Sequence, residues 1–174
     1  VRMQNAATEP LTGWLSVGHR PEINALTVTI SETLFPVLPQ IMGKIRQQFD
    51  LDCDPEIIAE TLQGMKSLFP EICITGTRLP GSFDPFEMVC RAVIGQQITV
   101  KAAGTITGRF SQAFGTRIQT GMAGLSHVFP SAEEILSLPG DIENHLGPLG
   151  IIGSRARTIR ALADIFAHHK VNFT

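Results

Sequence analysis

The 174 residues contain no apolar run long enough to cross a membrane as a helix, no cysteine pair at metal-ligand spacing, no tyrosine and no excess of positive charge. Each absence removes a class of protein. Residues 1–12 hold one arginine with no apolar run behind it, so no secretory signal is read and the expected compartment is the cytoplasm. Cys53, Cys73 and Cys90 are odd in number and show neither C-x-x-C nor Cys/His spacing, which suits free structural thiols in a reducing compartment. His168 and His169 adjoin, and neighbours on a helix point about 100° apart, so they read as a solvated helix end and not as metal ligands. A free-standing DNA-binding module usually carries a clear basic excess, because phosphate neutralisation supplies most of the affinity. A net charge of −2 and a pI near 6.2 therefore weigh against nucleic acid on composition alone.

What is present is globular. The 43% of hydrophobic residues exclude disorder, and the length allows one domain or two small ones. Leu26, Val28 and Ile30 alternate with Thr27 and Thr29, the period of a half-buried strand, and residues 13–19 supply a second strand across a turn at Pro21 and Asn24. One hairpin is marginal alone, so something must cover it.

Helices follow. Leu34, Leu38, Ile41, Ile45 and Phe49 form one apolar stripe, with Pro36 and Pro39 confining the regular helix mostly to the residues after them. Asp54-Pro55-Glu56 is a start signal, and Ile57, Ile58, Leu62 and Met65 are the expected buried side of that helix. Cys73-Ile74-Thr75 reads as a short strand, and the Gly/Pro-containing residues 76–82 place a boundary between residues 1–78 and 79–174. From Asp84 onward only helices are expected. Asp84-Pro85-Phe86-Glu87 opens one whose Phe86, Val89, Cys90, Val93 and Ile94 face inward. Residues 95–99 interrupt it, with Gly95 permitting a tight turn. Thr99 caps a second helix to Phe114, which Gly115 ends. Ser131 with Glu134 forms a capping box, Asp141 caps a short turn, and a last helix from Ser154 buries Ile159, Leu162, Ala163 and Phe166.

The order of four segments resembles a known family. Arg78-Leu79-Pro80-Gly81 leads through Asp84 into Arg91-Ala92-Val93-Ile94-Gly95-Gln96-Gln97. Gln48-Phe49-Asp50-Leu51 stands upstream, and Leu149-Gly150-Ile151 with Arg155-Ala156 and Leu162-Ala163 stands downstream. This arrangement is similar to DNA-3-methyladenine glycosylase II of the AlkA type, in the helix-hairpin-helix glycosylase superfamily. Residues 13–28 also resemble glycosylases fused behind Ada-type regulatory domains. No single motif is diagnostic; four in register over roughly 150 residues are hard to obtain by chance.

The resemblance implies an α+β fold, with a small antiparallel sheet and helices over residues 1–78 and an all-α partial helix-hairpin-helix domain over 79–174. It also implies that the sheet's first strands lie upstream of Val1, and that the hairpin and the catalytic half lie downstream of Thr174. Such enzymes excise alkylated bases from duplex DNA by hydrolysing the N-glycosidic bond, with no metal or cofactor. One residue intercalates, an aromatic pocket stacks on the flipped base, and a carboxylate stabilises the sugar cation. The family register places the wedge at Gln97, where some members carry leucine, and Gln96 beside the base pocket. From the residues alone, Gln96 and Gln97 read as solvated positions at a helix junction, and the family register is what turns that reading toward a wedge.

No leucine-proline-glycine-isoleucine-glycine hairpin follows. Residues 149–153 have glycines three apart instead of two and read as a structural turn, with Ser154, Arg155 and Arg157 the candidates for phosphate contact. Asp54, Asp84 and Asp141 are expected caps, Asp50 and Asp52 lie in a loop, and Asp164 is on a polar helix face. With one tryptophan and no tyrosine there is little to grip a flipped base. The expectation is therefore a glycosylase fragment, catalytically inactive alone, whose partner as the full-length protein is double-stranded DNA with alkylated bases, and which self-associates through exposed core. Two rivals remain. A non-catalytic DNA-binding or regulatory domain predicts salt-sensitive duplex binding through Arg155, Arg157 and Arg160. A helical scaffold predicts none.

Overall fold

The computed structural model describes residues 1–5, 9–72 and 76–170. The strands are β1 (Arg2–Met3), β2 (Leu11–Thr12), β3 (Leu15–Arg20) and β4 (Ala25–Ile30), followed by helices α1 (Leu38–Gln48), α2 (Pro55–Leu68), α3 (Pro85–Gly95) and α4 (Val100–Phe114). Then come β5 (Thr116–Arg117), β6 (His127–Val128), α5 (Ala132–Leu136), α6 (Ile142–Leu146) and α7 (Gly153–Ala167). All pairings are antiparallel: β1 with β2, β3 with β4, β5 with β6. The fold is α+β, with small antiparallel sheets among helices. The β5–β6 ladder departs from the expectation of helices alone after Asp84. Its cause is backbone proximity at Gly115, where an added Cβ would stand 2.0 Å from the Val128 carbonyl oxygen. Two residues a side are too short for period-2 patterning to announce. The stretch Cys73-Ile74-Thr75, read above as a strand, lies outside the described residues.

Two compact units emerge. The first holds residues 1–37 and the segment from Asp84 onward. Its β3–β4 hairpin pairs Leu15 with Ile30 through Arg20 with Ala25, and turns through a 3-10 segment at Pro21–Ile23 with Asn24 left-handed at φ 49°. Its core gathers Phe86, Cys90 and Ile94 of α3, Phe110 of α4, Ile135 and Leu146 of the short helices, and Ala156, Ile159 and Ala163 of α7. Small Ala156 and Ala163 let α7 lie close to α3 and α5. Phe110 stacks tilted on Phe129 at 5.2 Å between centroids, and Phe86 meets Phe129 and Phe166 edge-on. Burial pushes the Cys90 thiol up to about 12, so it serves as a small apolar side chain. Capping follows the sequence at Asp84, Thr99 and Ser131, where Ser131 and Glu134 complete a reciprocal box. Asp141 sits at the start of α6 but makes no capping bond through its side chain, a correction to the sequence reading.

β1 is tied to this unit by a bidentate pair. The Arg2 guanidinium donates to both Glu134 carboxylate oxygens at 2.8 and 2.9 Å and to Thr116 Oγ1 at 2.7 Å. Burial would raise the Glu134 carboxyl, but hydrogen bonds from Arg2 and the Ser131 amide outweigh it and hold it below the ordinary range.

The second unit, residues 38–83, holds α1 and α2. Ile41 and Ile45 are buried on α1 as expected, whereas Leu38 is exposed and Val37 before it is buried. A 3-10 segment at Glu32–Val37 shifts the phase of the stripe there, which an α-helical period cannot anticipate. Asp54 caps α2, yet no residue of α2 is fully buried. Ile57 is 61% exposed and Met65 38%, against the expectation of a covered face. Ile57, Ile58, Leu62 and Leu79 instead line an apolar groove of about 320 Å³. The Arg78-Leu79-Pro80-Gly81 linker is stapled to the α1–α2 loop. Arg78 donates to the Asp50 carbonyl and, at 3.1 Å, to Cys53 Sγ; the Leu79 amide donates to Asp50 Oδ2 at 3.0 Å. Gly81 donates to the Gln48 carbonyl at 2.9 Å, and a Cβ there would meet the Gln47 carbonyl oxygen at 2.9 Å. Only glycine fits so close to that backbone.

Candidate nucleic-acid interface

α3 ends at Gly95, and the chain reverses through Gln96 (φ −58°, ψ 128°) and Gln97 (φ 57°) before Thr99 caps α4 by accepting from the Ala102 amide at 3.2 Å. The Ile98 amide lies 3.4 Å from the Gly95 carbonyl, closing a type II turn. Its third position ordinarily takes glycine, because L side chains crowd the backbone at positive φ. Here Gln97 occupies it. Gly95, to which the sequence reading gave the freedom to turn, is not left-handed, and a Cβ there would make an ordinary 3.8 Å contact with Ala103. The conformational cost sits on Gln97, at roughly 1 kcal/mol or more. Both glutamines are exposed.

One long-range bond anchors this turn: Arg155, in the first turn of α7, donates to the Gln96 carbonyl at 2.6 Å. The segment that brings Arg155 there contains two left-handed glycines, Gly150 (φ 99°) and Gly153 (φ 48°), flanking Ile151, which is buried, and Ile152, which is 69% exposed. Gly150 packs beside Ile106 of α4. The structure thus brings together Gln96, Gln97 and Arg155. Ser154 follows Gly153 on α7 and is exposed. Arg157 is engaged elsewhere, donating to Glu143 Oε1 at 2.8 Å, and this bond holds the Glu143 carboxyl below its usual range. No sequence signal announced the Arg155–Gln96 contact, which joins residues 59 apart.

Of the aspartates named in the sequence, all but Asp141 have a side-chain bonding partner among the described residues. Asp50 accepts the Leu79 amide, Asp52 pairs with Arg46, Asp54 and Asp84 accept helix amides, and Asp164 pairs with Lys170. Asp141, Glu143 and Asp164 border an open groove of about 800 Å³ with Arg157 and Arg160, and no aromatic ring lines it. A flipped base would find nothing to stack on there.

Two family models cover the chain in succession. The AlkA N-terminal domain matches residues 1–84, and the HhH-GPD superfamily of base excision DNA repair proteins matches residues 90–174. The chain belongs to the AlkA type of this superfamily. A Mycobacterium tuberculosis protein named as a probable bifunctional transcriptional activator/DNA repair enzyme AlkA is 36% identical over 126 residues, 72% of this chain and 24% of that protein. The DNA-3-methyladenine glycosylase 2 of Escherichia coli is 35% identical over 95 residues, 55% of this chain and 32% of that enzyme. The chain spans a quarter to a third of the length of these curated relatives. Among solved structures, the 3-methyladenine DNA-glycosylase from Archaeoglobus fulgidus superposes with a TM-score of 0.63 at 20% identity, over 93% of this chain and 54% of that one. An 8-oxoguanine glycosylase/lyase from Clostridium acetobutylicum, solved with double-stranded DNA, superposes at 0.64 with 16% identity, over 98% and 56%. At these identities the AlkA-type chain shares their fold. The family is one of DNA glycosylases.

Proposed function

We propose that this chain is the wedge-bearing part of a base excision repair glycosylase that flips and excises alkylated bases of the 3-methyladenine type. The carrying observation is the exposed, left-handed Gln97 at the α3–α4 turn, held by Arg155. A residue kept in a costly conformation on the surface, with its turn pinned from a distant helix, suits a side chain that must stand rigidly into a gap in stacked bases. Gln97 fills the place of the extruded nucleotide and offers its amide to the orphaned base, while Gln96 borders the pocket. Ser154 and Arg155 approach the backbone next to it, and Arg157 joins them by exchanging Glu143 for a phosphate.

The parent reaction breaks the bond from the sugar C1′ to the base nitrogen. The cationic purine leaves with the bonding pair, and water adds to the sugar cation after losing a proton to a carboxylate. No aromatic ring lines the groove that Asp141, Glu143 and Asp164 border, so these carboxylates face no base pocket among the described residues, and on this reading the chain alone does not cleave. Division into residues 1–78 and 79–174, a cytoplasmic setting and self-association belong to the same reading; no helix among the described residues is long and apolar enough to cross a membrane. The mycobacterial relative, named as a probable bifunctional transcriptional activator and DNA repair enzyme, favours a regulatory part in the parent protein.

The test is a duplex carrying 2-aminopurine opposite an abasic site. The chain raises the fluorescence by unstacking the probe, and Gln97→Ala abolishes the rise with little change in affinity. An equal rise from Gln97→Ala removes that residue from the role. Incubation with methylated duplex yields no free base; its release would overturn the claim that the chain alone does not cleave.

A further inference from the structure

The net charge of −2 hides a segregation: no aspartate or glutamate occurs between Glu87 and Glu133, while Arg91, Lys101, Arg109 and Arg117 fall within that stretch. Arg91 is neutralised by Glu87. Lys101 and Arg109, both exposed on α4, make no side-chain hydrogen bond or ion pair among the described residues. In the same unit Arg2, Arg20 and Arg157 are all paired with acids. Arg117 on β5 and Arg155 and Arg160 on α7 likewise form no ion pair among the described residues, but the two on α7 donate to backbone carbonyls, whereas Lys101 and Arg109 lie together, their side chains unbonded, on the helix that begins at the glutamine turn.

The shape of that face agrees with its charge. Thr99, Lys101, Ala102, Thr105, Ile106 and Arg109 line a groove of about 440 Å³ along α4. Residues 101, 105, 108 and 109 recur at i, i+4, i+7 and i+8, so Thr105 and Gly108 lie between the two cations on one face. A Cβ added at Gly108 would meet nothing within 4 Å, and no bulky side chain fences the groove there. Lys101 and Arg109 stand about 12 Å apart along the axis, far enough to reach different phosphates of one strand.

We infer that the Lys101–Arg109 face of α4 is a backbone track for duplex DNA, carrying one strand away from the glutamine turn without reading its bases. The placement rests on the proposed role of Gln97, since Thr99 both ends the turn and opens the groove. The cations supply counterion release, and the small residues allow close approach.

The experiment follows duplex binding by the whole chain, through fluorescence anisotropy across a salt series. The variant Lys101→Gln with Arg109→Gln is compared with Arg20→Gln with Arg46→Gln, which removes the same charge from ion-paired sites. The first pair lowers affinity about tenfold at fixed salt and reduces the slope of log K against log salt by about two, equally for damaged and intact duplex. The second pair leaves the slope within experimental error of the parent. Equal slopes for both variants would overturn the α4 track while leaving the role of Gln97 standing. A reduced slope without the 2-aminopurine response would keep the track and remove the wedge. Absence of salt-dependent binding by the unaltered chain would sink both.

Discussion

Two side chains carry the account at the level of single residues, and each has a measurable consequence. Gln97 is left-handed where glycine is ordinarily found. Gln97→Gly should therefore stabilise the protein by about 1 kcal/mol, and the β-branched Gln97→Val should destabilise it by a similar amount, as read by urea denaturation. A gain from a change that deletes a whole side chain is expected only if the backbone there is under strain. Glu134 supplies the second. Its carboxyl is held below the ordinary value of 4.5 by Arg2 and the Ser131 amide despite burial. A depressed carboxyl adds stability that is complete above its unfolded-state value and lost as pH falls through the folded one. The melting temperature should thus drop as the medium is acidified below about 4.5. In Glu134→Gln that part of the drop should be absent, with a lower plateau near neutral pH. Parallel curves for the two proteins would mean that the Arg2 bond contributes nothing.

Among the elements, α7 and α2 show how unequally amphipathic patterns report burial. Ile159 on α7 is fully enclosed, so Ile159→Ala should cost about 2–5 kcal/mol. Ile57 on α2 has a similar sequence signal but is 61% exposed. Ile57→Ser should stay within about 0.5 kcal/mol; chemical denaturation separates the two. Caps at Asp54, Asp84, Thr99 and Ser131 were readable because a short polar side chain and the amides it satisfies lie within three residues. The β3–β4 hairpin was readable for the same reason of locality. What could not be read was set at a distance. The β5–β6 ladder depends on Gly115 approaching Val128, and the phase of the α1 stripe depends on a 3-10 entry. The Arg155–Gln96 bond links two helices through the fold. The four motifs that carried the family resemblance meet in pairs. Arg78-Leu79-Pro80-Gly81 clasps the loop at Asp50, and Arg155 clasps the turn at Gln96. The register of those motifs could be recognised in sequence; the contacts that couple them belong to the folded chain.

For the whole molecule, composition is a poor guide to its partner. A mildly acidic total coexists with an acid-free stretch in which two unpaired cations, Lys101 and Arg109, share one helix. Of the apolar residues exposed on α2 and after it, Ile57 and Leu79 line one groove, and Leu68 and Phe69 add further uncovered apolar surface. The apparent mass by light scattering should accordingly rise with concentration, and Leu68→Lys with Phe69→Lys should return it to that of a monomer. A mass independent of concentration would count against self-association. The central claim is that the α3–α4 turn enters damaged duplex, and hydrogen–deuterium exchange with an abasic-site duplex tests it most directly. Protection is predicted at Gln96–Gln97, along the first turns of α4, and around Gly153 to Arg155, with α2 unchanged. Protection confined to other surfaces, with exchange at the glutamine turn identical in free and bound protein, would contradict it.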